Sequence, residues 1–343
     1  MQLGKRIRVL VVDDSIVFRE VLSRGISSDP NIEVVATAID PFDARDKIIE
    51  FEPDVITCDV EMPKMNGIEF IKRLMPQYPL PVIVVSSVSS AVFDAMNAGA
   101  IDFVTKPDVR SVKDVENFIN EMVLKVKIAS TAKVFHWKTG DSSQKIIGNT
   151  NADVNKIIAI GASTGGTEAI YTVLKHLPKS IPGIVIVQHI PPDFSRMFAE
   201  RLNTSTALEA KEAKTGDYIE KGRVLVAPGD RHMRIKRVGD KFRVECFEGD
   251  KLNGHRPSVD VLFESVAKEA GNQAIGIILT GMGYDGAKGL LSMRRKGART
   301  IGQDESSSVV YGMPKVAFNI GAVEKQTSLE GIPRLIYSLL GEG

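Results

Sequence analysis

The chain has 343 residues, of which 43% are hydrophobic and 25% are charged, as in ordinary soluble globular proteins, and this length predicts two domains. Its 44 basic and 43 acidic residues leave a net charge of +1, which excludes an electrostatic case for nucleic acid or a membrane surface as the main partner. The two cysteines, Cys58 and Cys246, lie far apart and argue against a disulfide framework. No apolar run reaches the roughly 20 residues of a membrane-spanning helix, so we expect a cytoplasmic protein.

The first 127 residues alternate between buried strands and helices. Residues 7–12, IRVLVV, are typical of a strand buried on both faces, as in parallel sheets. Further strands are predicted at 34–39, 54–60, 81–87 and 100–107, and helices are predicted around 17–22 and at 44–51, 68–75, 88–98 and 112–126. Five strands alternating with five helices predict a flavodoxin-like, doubly wound, five-stranded parallel sheet.

Polar residues follow these strands where each one ends. Asp13 and Asp14 end the first strand, Asp59 the third, Ser86 the fourth and Lys106 the fifth. Three carboxylates at one sheet edge repel one another and favour a divalent cation, and hard oxygen ligands favour Mg²⁺. A lysine and a hydroxyl beside that cation can hold a phosphoryl group on one carboxylate. Each acid alone is more typical of a solvated loop or a helix cap, but the set at successive strand ends predicts a site.

The segments VVDDS, CDVEMPKMNG, VVSS and DFVTKP resemble the markers of response-regulator receiver domains. The resemblance implies a domain over residues 1–127 in which a histidine kinase phosphorylates Asp59. It also implies the following roles: Asp13, Asp14 and Asp59 as Mg²⁺ ligands together with the backbone carbonyl of Glu61, Lys106 as the phosphoryl salt-bridge partner, Ser86 as the switch hydroxyl and Phe103 as the switch aromatic. The stretch from Ser86 to Ala100 is shorter than in close relatives, which puts the length and position of the fourth helix in question.

Residues 128–153 lose the periodic pattern and gain Thr, Ser, Gly, Asn and Asp, which predicts a linker between two domains. His136 and Trp137 lie in it, and we expect them to be exposed. The second domain should cover residues 154–343.

A second α/β pattern begins at Lys156. Strands are predicted at 157–160, 183–190, 273–280 and 298–303, and helices at 167–177, around 194–202, at 259–269, between the last two strands and at 331–340. Residues 208–248 are punctuated by Gly and alternate in hydrophobicity, which predicts antiparallel hairpins inserted beside the sheet. The predicted fold is a doubly wound, mainly parallel α/β domain with an antiparallel hairpin insertion.

The stretch Gly161–Gly166, GASTGG, stands where the first of these strands gives way to a helix. Its spacing matches the G-x-S-x-G turn that presents a nucleophilic serine. A Gly-rich turn before a helix also suits a phosphate group, and a plain tight turn is a third interpretation. No lysine follows the glycines as it does in a phosphate-binding loop, which favours the serine.

Ser163, His189 and Asp285 each lie just past a strand that is predicted to be buried and parallel. Because parallel strands end at one edge of a sheet, the three side chains can meet although they are distant in the chain. A serine hydroxyl is a weak nucleophile unless a histidine takes its proton, and the imidazole needs an acid to fix its tautomer. The order Ser, His, Asp differs from the Ser, Asp, His order of α/β-hydrolases, so the pattern predicts an unrelated hydrolase.

The other histidines compete for the role of the base. His176 is expected in the last turn of a helix, where a cation suits the helix dipole, and a structural role is predicted for it. His232 and His255 lie in turns and remain candidates for the wall of a substrate cleft.

The segments GASTGG, VQHIPPDF, LVAPGDRHM, PSVDVLF, LTGMGYDGAKG and GQDESSSVVYGMP resemble the catalytic domain of chemotaxis protein-glutamate methylesterases, a family with an N-terminal receiver. The resemblance implies that Ser163 is the nucleophile, His189 the general base and Asp285 its orienting acid. Thr164 and Met282 match residues that line the site, and the Met282 N–H matches an oxyanion donor. The Thr164 N–H is a second expected donor, because the residue after the serine should start a helix.

The implied reaction is hydrolysis of glutamate γ-methyl esters on chemoreceptor helices with release of methanol, and deamidation of receptor glutamines by the same route. A chemotaxis histidine kinase would be the phosphodonor, and no cofactor is expected for the esterase step. If the receiver inhibits by occlusion, deletion of residues 1 to about 150 should raise the basal activity. The alternative function is a phosphorylation-controlled binding module whose Gly-rich turn holds an anion.

Overall fold

The structure, a computed structural model, describes residues 5–87, 89–108, 110–134 and 156–341. The chain divides into two compact units, Met1–Gly140 and Asp141–Gly343. Most of the predicted linker, with His136 and Trp137, lies outside the described residues. Within the described ranges, no helix is long and apolar enough to cross a membrane.

The first unit alternates strand and helix as predicted. Its elements are β1 (Ile7–Val12), α1 (Ile16–Ile26), β2 (Ile32–Ala38), α2 (Pro41–Phe51), β3 (Val55–Asp59), α3 (Gly67–Leu74), β4 (Val82–Ser86), α4 (Ser89–Asn97), β5 (Asp102–Thr105) and α5 (Val112–Ala129). The described strands form a parallel sheet in the order β2-β1-β3-β4-β5. The predicted five-stranded parallel fold is therefore confirmed.

Polar caps fix where several of these helices begin. Ser15, Asp40, Asn66 and Ser111 each accept a hydrogen bond from a backbone N–H in the first turn of the helix that follows. Such caps satisfy amide groups that have no partner inside the helix. These four helices therefore start directly after the preceding loops.

Two apolar residues of the predicted helices are not in the core. Phe18 and Leu22 of α1 are buried, but Val17 is 65% exposed. Val112 begins α5 and is 74% exposed, while Phe118, Met122 and Val126 are buried. Helix α4 spans Ser89–Asn97, so the short stretch after Ser86 still forms a helix, and Val88 lies outside the described residues.

The second unit contains the elements β6 (Ile157–Ala162), α6 (Gly166–Leu174), β7 (Gly183–Gln188), α7 (Phe194–Ser205), β8 (Glu209–Glu212), β9 (Arg223–Val226), β10 (His232–Val238), β11 (Lys241–Phe247), α8 (Val259–Glu269), β12 (Ala274–Ile278), α9 (Ala287–Arg295), β13 (Arg299–Gln303), α10 (Met313–Asn319), β14 (Lys325–Thr327) and α11 (Ile332–Gly341). The described strands form a parallel sheet in the order β14-β13-β12-β6-β7-β9-β8. Strands β6, β7 and β12 are neighbours and are buried throughout.

The strand order reverses direction at β6, because the chain continues to one side through β7 and to the other through β12. In open parallel sheets, ligands bind beyond the carboxyl ends of the strands at such a point. The fold thus places the residues after β6, β7 and β12 at the edge where chemistry is expected.

The interpretation of residues 208–248 was right in part. Strands β10 and β11 form an antiparallel hairpin, whereas β8 and β9 pair in parallel and extend the large sheet. The hairpin prediction was therefore wrong for these two short strands, which have four residues each, too few for alternation to distinguish pairing direction.

Three further details differ from the sequence expectations. Helix α6 ends at Leu174, so His176 lies beyond the helix and not in its last turn. Partial desolvation and the charge of Lys175 lower the pKa of His176, which also contradicts a cation stabilised by the helix dipole. Helix α10 and strand β14 had not been predicted, because they are only seven and three residues long.

Candidate active site

Ser163 stands directly after β6, in a tight turn before α6. Its N–H donates to the Thr280 carbonyl (3.0 Å), and its own carbonyl accepts from the Gly166 N–H (2.7 Å). Gly165 has φ +76°, a left-handed conformation that favours glycine. The helix begins at Gly166, three residues after the serine, so Thr164 does not start it, and that expectation was wrong.

His189 follows β7 and lies beside the serine turn. Its backbone N–H donates to the Ala162 carbonyl (3.1 Å), which joins the ends of β6 and β7. Its imidazole Nε2 is 2.9 Å from Asp285 Oδ2, with 8% of the His189 side chain and 1% of the Asp285 side chain exposed. Two of the predicted triad side chains therefore form a buried pair.

The Asp285 carboxylate is surrounded by hydrogen-bond donors. It accepts hydrogen bonds from His189 Nε2, Asn253 Nδ2, Ser258 Oγ and the N–H groups of Val259 and Asp260. The last two N–H groups belong to the first turn of α8, where the helix dipole favours a negative charge. Burial alone would raise the pKa of Asp285, but His189 and these hydrogen bonds outweigh it and lower that pKa. Asp285 is therefore an anion at neutral pH.

Because Nε2 of His189 faces Asp285, the other ring nitrogen is left for proton transfer. Nδ1 is buried and has no hydrogen-bond partner among the described residues. No hydrogen bond therefore joins Ser163 Oγ to the imidazole in this structure. Such bonds are often long in proteins without substrate and shorten in the reacting complex.

Gly281 brings the β12 loop against the serine. A Cβ added there would lie 2.6 Å from Ser163 Cβ and 2.5 Å from Met313 Sδ, closer than van der Waals contact allows. Only glycine fits this position without a shift. The segment from Gly281 to Asp285 thus runs past Ser163 on its way to His189.

Thr164 and Met282 are on this same edge. Thr164 is 7% exposed, and its carbonyl accepts a hydrogen bond from Thr280 Oγ1 (3.0 Å). Met282 is 46% exposed, and Tyr284, two residues further on, is 52% exposed. The Met282 loop therefore presents apolar side chains to solvent next to the serine turn.

His255 and His232 have structural partners. His255 stacks on His189 with ring centroids 3.6 Å apart and planes 9° apart. Burial, followed by the charge of His189, lowers the pKa of His255 to about 4, so it is a poor base at neutral pH. His232 is buried, its Nε2 is 2.8 Å from the Asp250 carbonyl, and its Nδ1 accepts from the Ser258 N–H (3.3 Å).

In the first unit, the polar residues at the strand ends also meet. Lys106 Nζ is 2.7 Å from Asp59 Oδ2 and 2.8 Å from Asp13 Oδ2. Carboxylate oxygens of Asp13, Asp14 and Asp59 lie within 4.8 Å of one another. Asp13 and Asp59 are buried and Asp14 is exposed. Burial, despite the opposing Lys106, raises the pKa of Asp59.

The other predicted receiver residues lie around this cluster. Ser86 and Phe103 are buried, with 1% and 4% of their surface exposed. The Glu61 N–H donates to Asp59 Oδ1 (3.2 Å), and Ser87 Oγ donates to Glu61 Oε2 (3.2 Å). The compact set of carboxylate oxygens of Asp13, Asp14 and Asp59 offers the hard oxygen ligands that Mg²⁺ prefers.

Sequence reasoning missed Asn253 and Ser258 and left His255 as a general candidate. All three lie in the loop between β11 and α8, where no periodic pattern assigns roles to residues. The structure gives a reason for asparagine at position 253: the residue adopts φ +54°, and asparagine is among the few residues that tolerate this conformation.

Residues 158–336 match the CheB methylesterase family, and residues 9–115 match the response regulator receiver domain. A protein-glutamate methylesterase/protein-glutamine glutaminase of Syntrophomonas wolfei is 58% identical over 339 residues, covering 98% of this chain and 99% of that protein. The protein of the same name from Salmonella typhimurium is 45% identical over 342 residues, covering 98% of each chain.

Among solved structures, the Thermotoga maritima CheB methylesterase catalytic domain is 37% identical and superposes with a TM-score of 0.53, covering 54% of this chain and 98% of that one. The family match covers more than half of this chain, and the relatives span nearly all of it. The chain therefore belongs to the CheB methylesterase family of carboxylic ester hydrolases, with a response regulator receiver domain at its N-terminal side.

Proposed function

We propose that this protein hydrolyses glutamate γ-methyl esters on the cytoplasmic helices of chemoreceptors and thereby serves adaptation in bacterial chemotaxis. The observation that supports it best is the buried His189–Asp285 pair, whose unpartnered Nδ1 lies at the same sheet edge as Ser163. The names of the full-length relatives support the substrate class.

In the acylation step, Ser163 Oγ attacks the ester carbonyl carbon while His189 Nδ1 takes the hydroxyl proton. Asp285 stabilises the resulting imidazolium through its hydrogen bond with Nε2. The bond between the carbonyl carbon and the methoxy oxygen then breaks, and Nδ1 returns its proton to that oxygen. Methanol leaves, and the glutamyl group remains as an ester of Ser163.

Water completes the cycle. It attacks the acyl carbon and gives one proton to Nδ1, and the bond to Oγ breaks as Oγ regains a proton. Glutamate is released with a negative charge. A receptor glutamine follows the same path with ammonia as the leaving group, so both reactions turn a neutral receptor side chain into a charged one.

The oxyanion of the tetrahedral intermediate needs donors that are already in place. We assign the backbone N–H groups of Thr164 and Met282 to this role. In support, Thr164 follows the nucleophile directly, and the contact of Gly281 with Ser163 brings the Met282 loop alongside.

The receiver regulates the esterase in this proposal. Asp59 accepts the phosphoryl group from a chemotaxis histidine kinase. Asp13, Asp14 and Asp59, with the Glu61 carbonyl, would hold Mg²⁺, which when bound neutralises charge on the transferring phosphoryl group. Lys106 then pairs with the phosphoryl oxygens, Ser86 donates its hydroxyl to them, and Phe103 follows as the switch aromatic. Both partners place the enzyme in the cytoplasm.

Methanol release from methylated receptor membranes tests the esterase function. Replacing Ser163 by Ala should abolish it in the full-length protein, while the variant keeps the wild-type melting temperature. Release at close to the wild-type rate from Ser163→Ala would contradict the assignment.

A further inference from the structure

The loop that joins β11 to α8 reaches both members of the His189–Asp285 pair. We call residues 249–258 the clamp segment. Asn253 Nδ2 and Ser258 Oγ each donate to Asp285 Oδ1 at 2.8 Å, and His255 covers the face of the His189 ring. One short loop therefore contacts the orienting acid and the base at the same time.

The stack between His255 and His189 is closely defined. The two rings are 3.6 Å apart between centroids and nearly parallel, at 9°. Rotation of the His189 ring about its Cβ–Cγ bond would drive its edge into the His255 ring. The stack thus fixes the plane in which Nε2 meets Asp285.

The clamp segment is itself anchored at both ends. His232 donates from Nε2 to the Asp250 carbonyl and accepts from the Ser258 N–H, so one buried ring of the hairpin strand β10 spans the segment. Arg256 Nη2 donates to Asp230 Oδ1 (2.6 Å). Reciprocal backbone hydrogen bonds join Leu252 and His255. Anchoring of this kind is needed for a side chain to hold another within a fraction of an ångström.

His255 is suited to this place because it stays uncharged. The titratable groups that act on it are His189, Asp285 and Lys251. With a pKa of about 4, His255 is neutral when His189 accepts the serine proton. Two stacked cations would repel each other, whereas a neutral ring presents a polarisable face to the imidazolium.

We propose that His255 is a positioning residue that holds the His189 imidazole in its reactive plane through ring stacking, with no proton transfer of its own. This inference rests on the proposed esterase function. It gives the hairpin and the clamp segment a part in catalysis, because His232 anchors the segment that places His255 against the base.

Two variants of the full-length protein separate stacking from mere space filling. His255→Phe keeps a flat ring but cannot transfer a proton, and His255→Leu fills the space without a flat face. We expect kcat for methanol release to stay near the wild-type value in the Phe variant. We expect it to fall about ten- to hundredfold in the Leu variant, with KM unchanged, because a small misplacement of a catalytic group has an effect of this size.

His176→Leu serves as the matched control, since His176 is an exposed histidine beyond α6, and it should leave kcat unchanged. Wild-type kcat in both His255 variants would overturn the proposal. An equal loss in both would also overturn it, because the flat ring would then not be what matters.

A second measurement does not depend on activity. The NMR signals of the His189 imidazole should remain sharp in the Phe variant and broaden in the Leu variant as the ring gains freedom. Unchanged signals in the Leu variant would refute the stack as a restraint. If the wild-type protein releases no methanol, the proposed function fails, and this experiment still tests the stacking.

Discussion

Replacing Asp285 by Asn perturbs the centre of the site with almost no change in shape. Oδ2 accepts from His189 Nε2 and the Val259 N–H, and Oδ1 accepts from Asn253 Nδ2 and Ser258 Oγ. An amide has one acceptor oxygen and one donor nitrogen. In either orientation, the new NH₂ group therefore faces groups that now donate to Asp285.

The orientation of the new NH₂ group decides whether kcat or the free energy of unfolding is affected most. If it faces His189, the imidazole must carry its proton on Nδ1 and cannot accept the serine proton. A wrong tautomer in a triad lowers kcat by about 10⁴, or roughly 5.5 kcal/mol in the barrier. If it faces the clamp segment instead, buried donors lose their acceptor, and the free energy of unfolding falls by about 1–3 kcal/mol for each.

Methanol release and thermal unfolding of Asp285→Asn check both effects. Asp217→Asn is the control, because Asp217 also accepts a backbone N–H, from Lys214, and a lysine side chain, from Lys211, but has no contact with the triad residues in the described structure. It should lose stability and keep kcat. A wild-type kcat together with wild-type stability in Asp285→Asn would refute the role of Asp285 as the orienting acid.

Three further predictions concern pH, regulation and substrate. Because the pKa of Asp285 is lowered, its contribution to stability is present above the ordinary pKa of 3.8 and is lost as pH falls below it. The free energies of unfolding of the wild type and Asp285→Asn should therefore converge in acid. A difference that stays constant with pH would contradict this. Asp59→Asn should block phosphorylation by a small-molecule phosphodonor with Mg²⁺ and leave basal methanol release intact; a phosphorylated variant would argue against Asp59. Steady-state kinetics of Tyr284→Ala should show a KM for receptor membranes that is raised several-fold and an unchanged kcat, because the exposed ring lies at the rim of the site. An unchanged KM would mean that the ring does not contact the substrate.

Much of the fold could be predicted because parallel strands leave a strong signal. The runs that became β1, β3, β4, β6, β7 and β12 are apolar on both faces, and polar residues follow them at the sheet edge. Topology then brings the strand ends together, which explains why His189 and Asp285 meet although 96 positions separate them.

Short and irregular parts could not be predicted from such patterns. Strands β8 and β14 have four and three residues, so their pairing is decided by the neighbouring sheet and not by their own sequence. The clamp segment has no hydrophobic periodicity from which its structure could be predicted. The roles of Asn253 and His255 depend on contacts with Asp285 and His189, which are distant in the chain, and only the three-dimensional structure reveals them.

The central claim is that Ser163 is a nucleophile activated by His189, and covalent labelling tests it most directly. A serine-directed fluorophosphonate should modify the wild-type protein at one site, which peptide mass spectrometry should locate at Ser163. Labelling should disappear in His189→Gln, in which Ser163 is intact but has no base. Absence of labelling in the wild type, or equal labelling of Ser163 in His189→Gln, would contradict the account.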